Sequence, residues 1–367
     1  MHTLSFTRKW GDLAFRFSLP CVRNLPASFP CSDPKAVQHL PSLHLLTGRR
    51  NQLFSSFRVV SSEAGAMEPE TEKLQEAVEP TEIVKGTNSW IAVGQMTSTS
   101  DVEQNFQTCA YLIDQAVNRN CSFLCLPEVV FVAFDYIADN AEQGIAMAQS
   151  LDGPLMTRFR SLAKQHNMWL SLGGFHEKEK PDDTKIYNTH VIIDNKGDIV
   201  ATYRKIHLFD VNIPHGPVLQ ESKNARAGNQ PIVVDTPVGV TALSICYDLR
   251  FPELYLSYRQ NKGAQVILIP SAFTQATGKA HWEPLLRARA IETQCYVVAA
   301  AQVGNHNAKR SSHGNSIIID PWGKVVACCS DRVGIAVAEI DHSYMEQIRE
   351  QMPVFQHRRP DVYGPLL

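Results

Sequence analysis

The chain has no apolar run near the roughly 18 residues that a membrane-spanning helix requires, so no membrane partner is expected. It has no surplus of either charge: 35 Lys and Arg stand against 37 Asp and Glu, a formal net charge of −2 at pH 7. Without a basic excess there is no electrostatic footprint for nucleic acid or an anionic membrane surface. No G-x-G-x-x-G follows a strand-like run and no Walker lysine motif occurs, which disfavours nucleotide cofactors. Paired C-x-x-C units at zinc spacing are absent too. Neither a metal nor a cofactor is therefore expected. The nine cysteines are odd in number. Most lie inside apolar runs, where a thiol behaves as a small hydrophobe. That usage fits a reducing compartment and no disulfides. The adjacent Cys328 and Cys329 are expected on alternate faces of one strand.

What is present is ordinary globular material: 367 residues, 44% hydrophobic and 20% charged, ample for a large core. The composition changes along the chain. Residues 1–62 contain Arg8, Lys9, Arg16, Arg23, Lys35, Arg49, Arg50 and Arg58 but only Asp12 and Asp33 as acids. Basic, Ser-containing and acid-poor is the composition of a mitochondrial transit peptide, with an unaddressed disordered extension as the alternative. Met67 precedes the acidic stretch Glu68-Pro-Glu-Thr-Glu-Lys. Initiation there, or removal of the leader, gives a cytosolic form, so mitochondrion and cytoplasm are both expected. Residues 63–88 read as an acidic linker, 89–352 as the folded domain, and 353–367 as a tail rich in Pro, Arg and Tyr.

Within the folded part, strand-like runs are expected at 90–96, 122–128, 169–175, 187–193, 198–203, 239–245, 264–270, 295–302, 316–320, 324–329 and 334–340. Helical periodicity appears at 101–118, 151–166 and 281–292, and Asp341 caps a last helix. Strands alternate with helices, with several hairpins between. That is an α/β fold with mixed sheets, not an all-parallel one.

Three chemically useful groups stop three of these runs. Glu128 follows Leu124-Cys-Leu-Pro, Lys205 follows Thr202-Tyr-Arg, and Cys246 follows Leu243-Ser-Ile. Pro252-Glu253 just beyond Cys246 reads as the first turn of a helix, so Cys246 sits at a strand-to-helix turn. Singly, each has a bland reading: a packed cysteine, a loop glutamate, a surface lysine. If the strands share one sheet edge, the three converge. A thiol with a free pKa near ~8.5 is mostly protonated at neutral pH. A carboxylate within reach removes its proton. An ammonium stabilises the thiolate and the oxyanion formed when sulfur adds to a carbonyl, together with a backbone N–H after the nucleophile. No histidine lies in a motif that would make a papain-like pair with Cys246.

Leu126-Pro-Glu128, Tyr203-Arg-Lys-Ile-His-Leu208, Cys246-Tyr-Asp-Leu-Arg-Phe-Pro-Glu253 and Pro270-Ser-Ala-Phe273 resemble, in order, the motifs of the nitrilase superfamily of carbon–nitrogen hydrolases. His281-Trp-Glu-Pro-Leu-Leu-Arg-Ala-Arg-Ala-Ile-Glu-Thr-Gln-Cys-Tyr-Val298 and Pro353-Val-Phe-Gln-His-Arg-Arg-Pro-Asp361 resemble its deaminated glutathione amidase branch. The resemblance implies a four-layer α-β-β-α sandwich and a small-molecule amide substrate, deaminated glutathione, split into 2-oxoglutarate and cysteinylglycine. It implies Glu128 as base, Lys205 as electrostatic partner, Cys246 as nucleophile and Glu221 as a second glutamate beside them. It places the 281–283 segment by the pocket. Tyr247, Arg250, Phe273 and Trp282 are the candidate substrate contacts. Arg250 either clamps a carboxylate or pairs with Asp248 or Glu253. A homodimer or homotetramer is implied as well, with the tail near a partner. Two other readings stay open: an ω-amidase for 2-oxoglutaramate-like monoamides, and an interaction protein on the same fold. One departure stands out. After Glu128 the chain reads Val-Val-Phe-Val before Ala-Phe-Asp-Tyr, about four residues more than the branch pattern, beside a base where a shift of ~1 Å costs about a hundredfold in rate.

Overall fold

The computed structural model describes residues 89–128, 141–212 and 218–365, all within the unit Pro80–Leu367. The expected leader, the linker, Met67 and the Val129–Val132 departure lie outside the described residues. Two sheets form the centre. The larger, eight-stranded one runs Ser311–His313, Ala301–Asn305, Ser89–Met96, Phe123–Leu126, Trp169–Glu177, Tyr187–Ile193, Ile199–Arg204, and Gly334–Ile340 shares an edge of Ser89–Met96. The second, six-stranded, runs Val325–Cys328, Ile317–Ile319, Tyr296–Ala299, Val266–Leu268, Gly239–Leu243, Val233–Thr236. Parallel and antiparallel pairs mix in both.

Side-chain alternation explains the layering. Along Ser89–Met96, Ile91 and Val93 pack between the sheets, while Ala92 packs outward with Phe106, Leu112 and Phe159. In Phe123–Leu126, Phe123 and Cys125 point inward and Leu124 and Leu126 outward. The second sheet mirrors this: Val266, Leu268, Val298 and Ile318 face inward, while Ile267, Val297, Ile317 and Ile319 face Tyr255, Tyr258, Trp282 and Leu286. These central strands are apolar on both faces because both are covered, as buried sheets require. Helices Val102–Val117 and Pro154–His166 cover one sheet; Pro252–Lys262 and Gln275–Thr293 cover the other. The result is the expected α-β-β-α sandwich.

Two elements differ from expectation. The run 295–302 is not one strand. Tyr296–Ala299 lies in the six-stranded sheet and Ala301–Asn305 in the eight-stranded one, so the chain changes sheets at Ala300. No turn residue punctuates that apolar run, so periodicity cannot show the crossing. The helix expected from His281 starts at Gln275, with Thr274 accepting a hydrogen bond from Thr277 N–H as its N-cap. Gly278 is a poor helix former and masks that first stretch. Gly278 is needed there, since a Cβ would stand 2.2 Å from His313 Cγ. All described cysteines are free; Cys328 is exposed and Cys329 buried, as alternate faces demand. The tail folds back on its own chain, where Phe355 stacks beneath the Arg259 and Arg358 guanidiniums.

Candidate active site

Glu128 is held where Phe123–Leu126 stops at Pro127. Its carbonyl accepts from Gln302 Nε2 at 2.9 Å, and Gln302 is itself tied to Ser98 N–H and Oγ. Lys205 follows Ile199–Arg204; its N–H donates to Asn188 O at 2.9 Å and its carbonyl accepts from Gly228 N–H at 2.8 Å. Gly228 permits this approach, because a Cβ there would lie 2.1 Å from Arg204 O. Cys246 comes three residues after the end of Gly239–Leu243 and opens a 3₁₀ turn, Cys246–Arg250. Pro252 then starts the helix Pro252–Lys262 at its first turn, as the sequence suggests. Cys246 has φ +46°, a left-handed conformation that costs a residue with a Cβ about 1 kcal/mol or more. Its N–H donates to Pro270 O at 2.9 Å, which pins the strained residue in place.

The three groups do not share one sheet edge. Glu128 and Lys205 leave the eight-stranded sheet, whereas Cys246 leaves the six-stranded one. They converge because the sandwich brings the ends of both sheets together. Lys205 Nζ lies 3.1 Å from Glu128 Oε1 and 2.9 Å from Glu221 Oε2. All three side chains are buried. Asn188 Nδ2 donates to Glu128 Oε1 at 3.0 Å and to Glu221 Oε1 at 3.2 Å. Phe209 N–H adds a 2.7 Å bond to Glu221 Oε2. Glu221 is thus part of the cluster, although alone it reads as an ordinary loop carboxylate. The Glu128 carboxylate also acts on the Cys246 thiol electrostatically.

Electrostatics sets the resting protonation. Burial alone would depress the Lys205 pKa, but the Glu128 and Glu221 carboxylates outweigh it and hold it well above the ordinary lysine value. The Cys246 pKa is pushed well above the ordinary thiol value by burial and then by the Glu128 carboxylate, against the pull of Lys205. The resting cluster therefore pairs an ammonium with two carboxylates and leaves a neutral thiol. Such a thiol needs a base at the moment of attack, and Glu128 is in place for it.

A cavity opens over this cluster, lined by Glu128, Lys205, Cys246, Tyr247, Arg250 and Phe273, with Phe209, Leu219, Ala272, Thr274, Thr277 and Arg310 around them. Tyr247, Arg250 and Phe273, the candidate substrate contacts, thus line the cavity. Arg250 forms no ion pair with Asp248 or Glu253; it meets His281 Nδ1 at 3.3 Å and lies near the rings of Tyr247 and Phe273. Trp282 does not line the cavity. It is buried behind Phe273, with ring centroids 5.0 Å apart, and donates Nε1–H to Asn315 O at 2.8 Å. A tryptophan on a covering helix packs toward the core, and its helical register turns it away from the mouth. Sequence reasoning missed Asn188, Phe209, Leu219 and Arg310. Asn188, next to Tyr187 in a strand, carries no motif of its own. Leu219 comes from the short strand Val218–Gln220, and Phe209 and Arg310 are brought in by loops.

The profile of the carbon–nitrogen hydrolase family matches residues 90–350. The chain belongs to the carbon–nitrogen hydrolase family. This hydrolase is 53% identical over 275 residues to the nitrilase and fragile histidine triad fusion protein NitFhit of Caenorhabditis elegans, covering 75% of this chain and 61% of that protein. The chain thus spans about three-fifths of that fusion's length. It is 52% identical over 279 residues to the deaminated glutathione amidase of Bos taurus, covering 75% of this chain and 84% of that one. Among solved structures, C. elegans NitFhit superposes with a TM-score of 0.71 at 52% identity, over 76% of this chain and 66% of that chain. A carbon–nitrogen hydrolase acts on C–N bonds other than peptide bonds, and the buried thiol, base and ammonium are the parts such a reaction uses.

Proposed function

We propose that the protein is an amidase that hydrolyses deaminated glutathione to 2-oxoglutarate and cysteinylglycine through a thioester on Cys246. The observation that carries the chemistry is the convergence of Cys246, Glu128 and Lys205 at the floor of one cavity. The substrate reading is supported by the amidase relatives and by Arg250 at the wall. Glu128 takes the thiol proton as sulfur adds to the amide carbon. The oxyanion is stabilised by Lys205 and by Tyr247 N–H, one of the N–H groups at the start of a helical turn that have no partner within it. The C–N bond then breaks, and Glu128 returns the proton to the nitrogen so that cysteinylglycine leaves as a free amine. Glu128 next removes a proton from water. The resulting hydroxide adds to the thioester, the C–S bond breaks, and the proton returns to sulfur as 2-oxoglutarate departs. Arg250 is proposed to hold the 2-oxo acid carboxylate, with Tyr247 and Phe273 flanking the acyl chain.

The test is turnover of deaminated glutathione against 2-oxoglutaramate, with mass spectrometry of the quenched enzyme. We expect faster turnover of the larger amide, an acyl adduct on Cys246, and neither adduct nor turnover in Cys246→Ala. Preference for the short amide would favour an ω-amidase, and hydrolysis by Cys246→Ala would overturn the mechanism. We also propose a mitochondrial and a cytosolic form, from the basic composition of residues 1–62 and from Met67. Diffuse signal from a reporter fused to residues 1–66 would sink that address. A homodimer or homotetramer is proposed from the family resemblance; light scattering after gel filtration measures it.

A further inference from the structure

Asp248, two residues after the nucleophile, is fully buried and touches neither reacting group. Its carboxylate joins the two segments that carry them. Oδ2 accepts from Ile245 N–H at 2.9 Å and from Tyr203 O–H at 2.7 Å. Oδ1 accepts from His207 N–H at 3.0 Å and faces His207 Nδ1 at 2.7 Å, so that nitrogen carries a proton. Ile245 immediately precedes Cys246, while Tyr203 and His207 bracket Lys205 two residues to either side. Ile206 N–H also donates to Tyr203 Oη at 3.3 Å, and the His207 ring stacks on Phe251 with centroids 3.7 Å apart. The Lys205 segment leaves one sheet and the Cys246 turn leaves the other, so no ladder of backbone bonds fixes their separation. One carboxylate with four donors does so.

We propose that Asp248 is a positioning residue that sets the separation of the Lys205 ammonium from the Cys246 thiol across the two sheets. The proposal rests on the thiol-amidase reading above. The carboxylate is specifically required, because every partner is a donor. In an Asp248→Asn variant one of the two oxygens becomes an NH₂ group, which must then face a donor. The clash opens the bridge on the Ile245 and Tyr203 side or on the His207 side. A shift near 1 Å at the reacting centre is enough for about a hundredfold loss of rate.

The experiment compares wild type, Asp248→Asn and Tyr203→Phe, which keeps the carboxylate and deletes one donor. Folded protein is quantified, and two readouts are taken: steady-state hydrolysis of deaminated glutathione, and the pH profile of Cys246 alkylation by iodoacetamide. We expect kcat per folded Asp248→Asn enzyme to fall about a hundredfold with KM within about threefold of wild type. We expect a smaller kcat loss in Tyr203→Phe, and alkylation profiles displaced in both. A residue that only braces the fold would lower the amount of folded enzyme and leave kcat per folded site and the labelling profile unchanged. That result, in Tyr203→Phe alone if Asp248→Asn does not fold, would overturn the proposal. If wild type hydrolyses no amide, the amidase reading falls by itself, and the alkylation profiles decide between the same two outcomes for Asp248.

Discussion

At the scale of single residues, the site separates two jobs that one lysine is often given. Lys205 opposes the rise in the thiol pKa, but burial and Glu128 prevail. The ammonium's main partners at rest are carboxylates, and in the proposed mechanism it acts on the oxyanion that forms later. This yields an unequal response to Glu128→Gln. Hydrolysis should fall by at least about a hundredfold, since general-base catalysis contributes 10²–10⁴-fold. Removing the carboxylate also removes a charge that raises the thiol pKa, so more thiolate is present at a given pH. Cys246 in Glu128→Gln should therefore react faster with iodoacetamide at pH 8 than in wild type, while the amidase is lost. Slower labelling would mean that Glu128 activates the resting thiol instead of holding it neutral. Glu128, Lys205 and Cys246 were legible because each ends an apolar run inside a distinctive motif. Asn188 and Asp248 were not. Their importance comes from which chain segments they join, and that is a property of the sandwich.

At the scale of elements, apolar pattern and punctuation located the strands and helices wherever turn residues bounded them, as at Pro127 and Pro252. The same logic failed at Ala300, where an uninterrupted run passes between sheets, and at Gln275, where Gly278 disguises the start of a helix. That helix matters to the site, because Phe273, Thr274 and Thr277 all line the cavity. Thr274 caps it by accepting from Thr277 N–H at 3.3 Å and pairing with Thr277 Oγ1 at 2.9 Å. Thr274→Ala should cost about 1 kcal/mol of stability, and Thr274→Ser should restore most of it. Urea midpoints of the three proteins test this. Equal midpoints would show that the helix is held by its packing on the six-stranded sheet alone. A shared sheet edge is not how the three groups converge. Strand ends that look equivalent in sequence belong to different layers, and only the stacking of layers brings them together.

At the scale of the whole molecule, the two sheets are joined by buried polar groups as well as apolar contacts, and this makes stability depend on pH. His190 spans the sandwich: Nε2 meets Ser171 Oγ at 2.6 Å, and Nδ1 meets Ser244 O at 3.1 Å. A carbonyl only accepts, so Nδ1 carries the proton, and Ser171 can donate to the other nitrogen of a neutral ring. Burial lowers the pKa of His190 to about 4. Burial also lowers that of His176 to about 4, against the opposing pull of Glu221. His313 and His342 are displaced in the same direction, chiefly by burial. Between the unfolded value near ~6.5 and the folded value, the unfolded chain binds more protons, so stability rises with pH. The contribution of the neutral rings is complete above about pH 6.5 and is lost as the pH falls toward 4. At 1.36 kcal/mol per pH unit, moving from pH 7 to pH 5 should cost about 2 kcal/mol for each of His176 and His190, about 4 kcal/mol together. Denaturant unfolding at the two pH values measures the loss. His190→Gln starts less stable at pH 7, because it cannot reproduce the bridge, yet should lose about half as much on acidification. If wild type and variant lose the same amount between pH 7 and 5, His190 is not the neutral link between the sheets.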